Sequence, residues 1–244
     1  MENIILKFEK SEFKLSLRGE ADTSVMREIF KLREYRRAEE VIKQAQDPIL
    51  DVGAHAGFFS LYCRALNPVV KILGLEPEKN NLEFFAKHLK NNKIKDVAII
   101  AGALAGKTGE RVLKISSDSH NHRLNDNRLP EVFLSKAGYR DETEVKVRVF
   151  SLFDLCRLHK IKKLSLIKMD IEGGEFEVFE SLMSEDYLLF QSIILEYHNN
   201  IDHYQIIENK LRVNGFGVQV FPSKFDKTMG FIFASNKRGA SIST

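Results

Sequence analysis

ILDVGAHAGFFS, residues 49–60, runs from an apolar stretch through glycine and alanine into a run of aromatics. Ile49, Leu50 and Val52 follow the breaker Pro48 and read as a buried strand. Gly53, Ala54, Ala56 and Gly57 leave room for a sharp turn, after which Phe58, Phe59, Leu61 and Tyr62 resume at helical spacing. Such a turn brings free backbone N–H groups and a helix N-terminus to the carboxyl end of the strand, which suits a nucleotide or carboxylate ligand. A plain tight turn in an α/β domain has the same composition, so the function must be read from what stands around it.

The gross composition narrows the classes. A chain of 244 residues with 43% hydrophobic content can bury a core in one domain carrying an N-terminal extension and an insertion. Its 37 Lys+Arg against 34 Asp+Glu leave a net charge of +3, too mild to point to nucleic acid or a membrane surface. Cys63 and Cys156 lie in separate predicted helices without metal-type spacing, which speaks against a disulfide framework or a thiolate metal site. No apolar run approaches the roughly 18 residues of a membrane span, and MENIILKFEK is too weak for a signal peptide. The expected setting is soluble and cytoplasmic.

Outward from the turn, strand and helix alternate. Strands are predicted at 49–52, 71–76, 97–101, 164–169 and 192–197, with helices at 57–66, 79–92, 151–159, 174–183 and 202–213. That order describes a mostly parallel sheet covered on both faces. FGVQVF (216–221) and MGFIFAS (229–235) then read as a hairpin that adds an antiparallel strand. Residues 1–48 form the extension: alternation in IILKFEKSEFKLSL suggests a short hairpin, read as a substrate-side flap, and 22–46 suggests two amphipathic helices or one broken one. Arg33, Arg36 and Arg37 there are a solvated face or a phosphate contact. Residues 49–244 form the main domain, with an insertion at about 110–150 in which RVLKISS and TEVKVRVF bracket a long polar stretch, a candidate lid or a disordered loop.

Acids stand where the parallel strands end. Glu76 closes ILGLE about twenty residues beyond the glycine turn, where an acid can accept hydrogen bonds from both hydroxyls of a ribose. Asp51 ends the first strand, placed either to orient the turn through backbone N–H bonds or to meet a ligand ammonium. LSLIKMDIEGGEFEVFESL delivers Asp170 and Glu172 to the edge of the fourth strand, and IILEYH brings Glu196 and His198 to the fifth, two residues apart and so on one face. The glycines do not follow the Gly-x-Gly-x-x-Gly of nicotinamide dehydrogenases, and the terminal hairpin belongs to the Rossmann-like class of S-adenosylmethionine-dependent methyltransferases.

The ordered set DVGAHAGFFS, GLEPE, AGALAGKTGE, MDIEGGEFEVFESL and LEYH resembles the FkbM family of methyltransferases over about residues 20–236, and REIFKLREY resembles its leading helix. His55 stands where family members commonly carry Asn, and Gly174 where Ala is common. The resemblance implies a class I fold with a seven-stranded sheet, a C-terminal antiparallel hairpin and helices on both faces. It implies an S-adenosylmethionine pocket built from Asp51, Gly53, Ala54, His55, Gly57, Phe58, Glu76, Pro77, Ala103, Leu104 and Asp170. Glu76 is expected on the ribose and Ala103–Leu104 near the adenine. It further implies methylation of a hydroxyl oxygen on a small molecule or sugar, with S-adenosylhomocysteine as product.

Methyl transfer from a sulfonium relies chiefly on proximity and orientation, worth about 7–11 kcal/mol in favourable intramolecular systems. A general base adds to this, and the candidates are His198, whose intrinsic pKa is near neutral, then Asp170, with Glu172 and Glu196 placing the acceptor. Acids and a histidine along one edge are also the ligand types of a divalent metal, but they show no fixed ligand spacing and no metal is assigned. Asp118, His120 and His122 in the insertion are candidate extra ligands or substrate contacts. An RNA methyltransferase, using the arginines above and the Lys-rich segment 87–95, is disfavoured by the interspersed acids; a nucleoside-binding protein without transfer is the non-enzymatic alternative.

Overall fold

Alternation near the N-terminus produces a hairpin in which β1 (Glu2–Phe8) and β2 (Ser11–Leu17) pair antiparallel. The computed structural model describes residues 1–115, 123–124, 143–198, 201–223 and 228–236. The apolar face of the hairpin, with Phe8, Phe13, Leu15 and Leu17 buried, belongs to the main core, so this segment is packed down as part of the domain.

The charged stretch that follows is a single helical path with one break. It comprises α1 (Glu20–Arg27), a π turn (Glu28–Leu32), a 3₁₀ turn (Glu34–Ala38) and α2 (Glu39–Gln44). The break falls at Arg33, whose φ is +53°, and its guanidinium is held there by Glu39 at 2.6 Å. Arg37 lies over the Phe221 ring at 4.1 Å. The expected arginine cluster is therefore divided between an ion pair and an aromatic face. The break also carries Tyr35 into the core against Phe59 and Phe231.

From residue 49 the expected alternation holds to within a residue or two: β3 (Ile49–Val52), α3 (Phe58–Leu66), β4 (Ile72–Glu76), α4 (Lys79–Asn91) and β5 (Val97–Ala101). A small second sheet follows, made of β6 (Ala103–Leu104), β7 (Gly109–Ile115), β8 (Arg123–Leu124) and β9 (Thr143–Phe150), with β7 and β9 pairing antiparallel. The candidate lid, with Asp118, His120 and His122, lies outside the described residues. The chain then runs through α5 (Leu152–Leu158), β10 (Leu164–Met169), α6 (Glu175–Ser181), β11 (Phe190–Tyr197), α7 (Ile201–Val213), β12 (Phe216–Pro222) and β13 (Gly230–Asn236).

The main sheet has seven strands in the order β12-β13-β11-β10-β3-β4-β5, all parallel from β11 to β5, with β13 antiparallel to both β11 and β12. Consecutive strand residues feed opposite layers, as the pleat requires. Ile49 and Ile72 pack with the hairpin, α3 and α4, whereas Leu50 and Leu73 pack with α5, α6 and α7. The chain builds β3, β4 and β5 to one side, then returns to lay β10 and β11 on the other. That reversal between β3 and β10 is a topological switch point, where open parallel sheets leave a crevice at their carboxyl ends. Among the described residues no helix is long and apolar enough to cross a membrane, and both cysteines are buried and free.

Candidate active site

The glycine turn lies at this reversal, and its bareness serves the packing of the chain on itself. A Cβ on Gly53 (φ +70°) would lie 1.9 Å from the main-chain oxygen of Asp170, and one on Gly57 (φ +81°) would lie 2.0 Å from the Phe85 ring. Four of the amides expected to be free are engaged within the chain. Gly53 and Ala54 N–H donate to Leu75 O, Gly57 N–H to Ala54 O, and His55 N–H to Glu76 Oε2 at 2.8 Å.

Glu76 is buried at the end of β4 and also accepts from the N–H of Glu78 at 2.9 Å and from Asn81 Nδ2 at 3.2 Å. Burial raises its pKa, and these donors offset part of the rise. It is not the cap of α4, because Glu78 takes the Asn80 and Asn81 amides in that role. Asn81 in turn accepts from Arg18 Nη1 at 2.7 Å, and Arg18 also pairs with the buried Asp22 at 2.6 Å and reaches His55 Nε2 at 3.0 Å. The N-terminal segment thereby supports the acid and the turn together.

Asp51 is fully buried, as is the Lys168 side chain to within 4%. Its carboxylate accepts from Ser60 Oγ at 2.7 Å and faces Lys168 Nζ at 3.7 Å, so it meets neither the backbone amides of the turn nor an open pocket. Lys168 Nζ donates to Gly53 O at 2.8 Å and stands 3.7 Å from Asp170 Oδ2. Burial alone would lower its pKa, but the surrounding carboxylates of Asp170, Asp51 and Glu196 outweigh this and raise it. Sequence reading passed over Lys168, although a lysine inside the apolar run LSLIKM is a signal of a buried, compensated charge.

Asp170, Glu172, Glu196 and His198 come together as predicted. His198 Nε2 is 3.8 Å from Glu196 Oε1 and 3.9 Å from Glu172 Oε2, and its Nδ1 is 3.6 Å from Glu175 Oε1. Glu175, at the start of α6, uses its carboxylate to accept from the Ile171 and Gly173 amides. Burial raises Glu196 well above the usual carboxylate range and takes Glu172 to about 8, with Asp170 adding to both. Burial would lower His198, but Glu175, Glu172 and Asp170 push it up to about 11. A near-neutral imidazole was the reason for naming His198 as the base; held between carboxylates it is instead an imidazolium at neutral pH, and the carboxylates carry the capacity to accept a proton.

The other expected pocket residues divide. Pro77 is half-exposed beside Glu76. Ala54 and Phe58 are buried, Phe58 against the rings of His55 and His88, and Ala103 and Leu104 pair with Val149 and Phe150 in the small sheet. The broken helix contributes what the sequence did not reveal: Glu34, raised to about 7 by burial and by Glu28 and Asp170, and Tyr35, whose ring lies 5.9 Å from Lys168 Nζ.

Residues 51–218 match the methyltransferase FkbM domain. The chain is 23% identical over 184 residues to Methyltransferase 1 of Beauveria bassiana and 26% identical over 190 residues to Methyltransferase sdnD of Sordaria araneosa, in each case covering 70% of this chain and 73% of the relative. Among solved structures, the fold matches the methyltransferase FkbM of Methylobacillus flagellatus at a TM-score of 0.50 and 14% identity, over 90% of this chain and 56% of the other. It also matches the METTL16 methyltransferase domain at a TM-score of 0.51 and 12% identity, over 84% of this chain and 67% of the other. With most of the chain matched by the family's domain and its acids gathered at the switch point, this protein belongs to the FkbM family of methyltransferases.

Proposed function

We propose that this protein transfers a methyl group from S-adenosylmethionine to a hydroxyl oxygen of a small-molecule or saccharide acceptor, leaving S-adenosylhomocysteine. The observation that carries the reading is the electrostatic character of the crevice. Four amides of the turn, those of Gly53, Ala54, His55 and Gly57, are engaged internally, which weakens it as a cradle for a pyrophosphate, while acids line the strand ends on both sides of it. A ligand bearing a sulfonium and an ammonium, and no phosphate, suits that donor set.

The residues present fit the nucleoside. A carboxylate offers about four acceptor positions and Glu76 uses three, which leaves one for a ribose hydroxyl; the second hydroxyl requires one present donor to yield. Pro77 follows Glu76 in the chain, Ala103 and Leu104 follow β5 two residues on, and Lys168 holds the turn through Gly53 O. S-adenosylmethionine, when bound, supplies a methyl group already activated on sulfur. Asp170, Glu172, Glu196 and His198 orient the acceptor, and the proton leaving its hydroxyl passes to a carboxylate of this group in its ionised form.

The chain has no tryptophan, so binding is best followed by calorimetry. S-adenosylhomocysteine should bind and NAD should not, and Glu76→Ala should weaken binding by about 1–3 kcal/mol as charged hydrogen bonds are lost. Absence of nucleoside binding, or preference for NAD, overturns the reading. Release of S-adenosylhomocysteine in a screen of hydroxylated acceptors then tests the transfer.

A further inference from the structure

We propose that Asp170, Glu196 and His198 form a site for one divalent cation of the Mn2+ or Mg2+ type. One ligand atom from each residue lies within 4.8 Å of the other two. Two ligands on an ion at about 2.1–2.2 Å stand about 3–4.3 Å apart, so the cluster closes on an ion with a shift of about half an ångström. The pair Glu196 Oε1 and His198 Nε2, at 3.8 Å, is already within that range.

A second observation comes from the histidine itself. The His198 side chain is 5% exposed, and its buried Nδ1 has no hydrogen-bond partner. Glu175 Oε1 waits 3.6 Å away, on a carboxylate fixed by two backbone amides. A small movement of the ring lets Nδ1–H donate to Glu175, and an ion that displaces the Nε2 proton then completes the carboxylate–histidine–metal arrangement that sets tautomer and ring orientation. Lys168, 3.7 Å from Asp170 Oδ2, is already shared with Asp51 and the Gly53 carbonyl.

Two carboxylates and one imidazole, without a thiol, favour an oxygen-seeking ion over a thiophilic one. Three protein ligands leave further positions open toward the crevice. The cation site stands on these residues alone; its role in holding an acceptor oxygen rests on the methyl-transfer reading.

The test is titration of the full, EDTA-treated chain with MnCl2 by calorimetry, with S-adenosylhomocysteine titrated in parallel. One Mn2+ per chain is expected, with affinity falling at least about tenfold in Glu196→Gln and in His198→Ala. Should either variant fail to fold, proton NMR of the unaltered protein serves: Mn2+ should broaden the ring signals of His198 before those of the other histidines. No Mn2+ or Mg2+ binding, or binding that ignores both substitutions and leaves His198 sharp, overturns the site. Nucleoside binding without the cation defeats only this inference, and cation binding without the nucleoside defeats only the cofactor reading.

Discussion

The ammonium of Lys168 donates to the main-chain oxygen of Gly53 at 2.8 Å, tying the strand that carries Asp170 to the turn that follows Ile49–Val52. One buried side chain thus holds the two sides of the switch point and balances Asp51 and Asp170.

Removing that charge should be costly. Lys168→Met keeps the stem but leaves Asp51 buried without its counter-charge, and the loss is expected to be about 3–5 kcal/mol in urea unfolding. Adding Asp51→Asn should recover part of it. A single variant as stable as the parent would show that the pair carries no structural weight.

The two turn glycines should respond differently to a methyl group. Gly53→Ala drives a Cβ into the Asp170 carbonyl, which is backbone and cannot retreat, whereas Gly57→Ala drives one into the Phe85 ring. Both also hold a left-handed φ at a cost of about 1–3 kcal/mol. Gly57→Ala should be partly rescued by Phe85→Leu, and Gly53→Ala by no side-chain truncation. Thermal unfolding of the four proteins checks this; equal rescue would contradict the contacts.

His88 should contribute a loss of stability as the solution becomes mildly acidic. Its Nδ1 faces a carbonyl, Ala56 O at 2.8 Å, and so must donate, which leaves Nε2 to accept from Ser16 N–H at 3.0 Å. Burial lowers its pKa and outweighs the hydrogen bonds from the ring, so the folded protein binds fewer protons here than the unfolded chain. The stabilisation is full above the ordinary histidine value of about 6.5 and is lost as pH falls toward the lowered folded value. Urea unfolding of the parent and of His88→Gln from about pH 7.5 to about pH 5 isolates this contribution, and the stability difference should move in favour of the variant as pH falls. An unchanged slope would place the proton uptake elsewhere.

Arg18 should act on the nucleoside pocket from a distance. Arg18→Ala frees Asn81 from its acceptor role and strips the buried Asp22 of its guanidinium, leaving it the residue-18 N–H and His55, so Glu76 loses part of its support. S-adenosylhomocysteine affinity is expected to drop about three- to tenfold, the worth of roughly one hydrogen bond. The acceptor KM should hold, because Arg18 has no contact with the cluster around His198. A change in acceptor KM alone would refute the assignment.

What the sequence determined by itself was the order of elements and which acids end the strands. Period-two and helical runs, Gly53 and Gly57 after a buried strand, and Glu76, Asp170 and Glu196 at strand ends are local patterns, and a doubly wound sheet follows from their alternation. The tertiary structure decided everything that depends on chain segments far apart. Only folding puts the Asp170 carbonyl where a Gly53 side chain would be, engages four amides of the turn, and brings Arg18 to Asn81 across 63 residues. The charge state of His198 belongs to the same class. Taken alone, an imidazole is near neutral; buried among Glu172, Glu175 and Glu196 it is held protonated, because the field of neighbours brought together by three separate elements outweighs the intrinsic affinity of the ring.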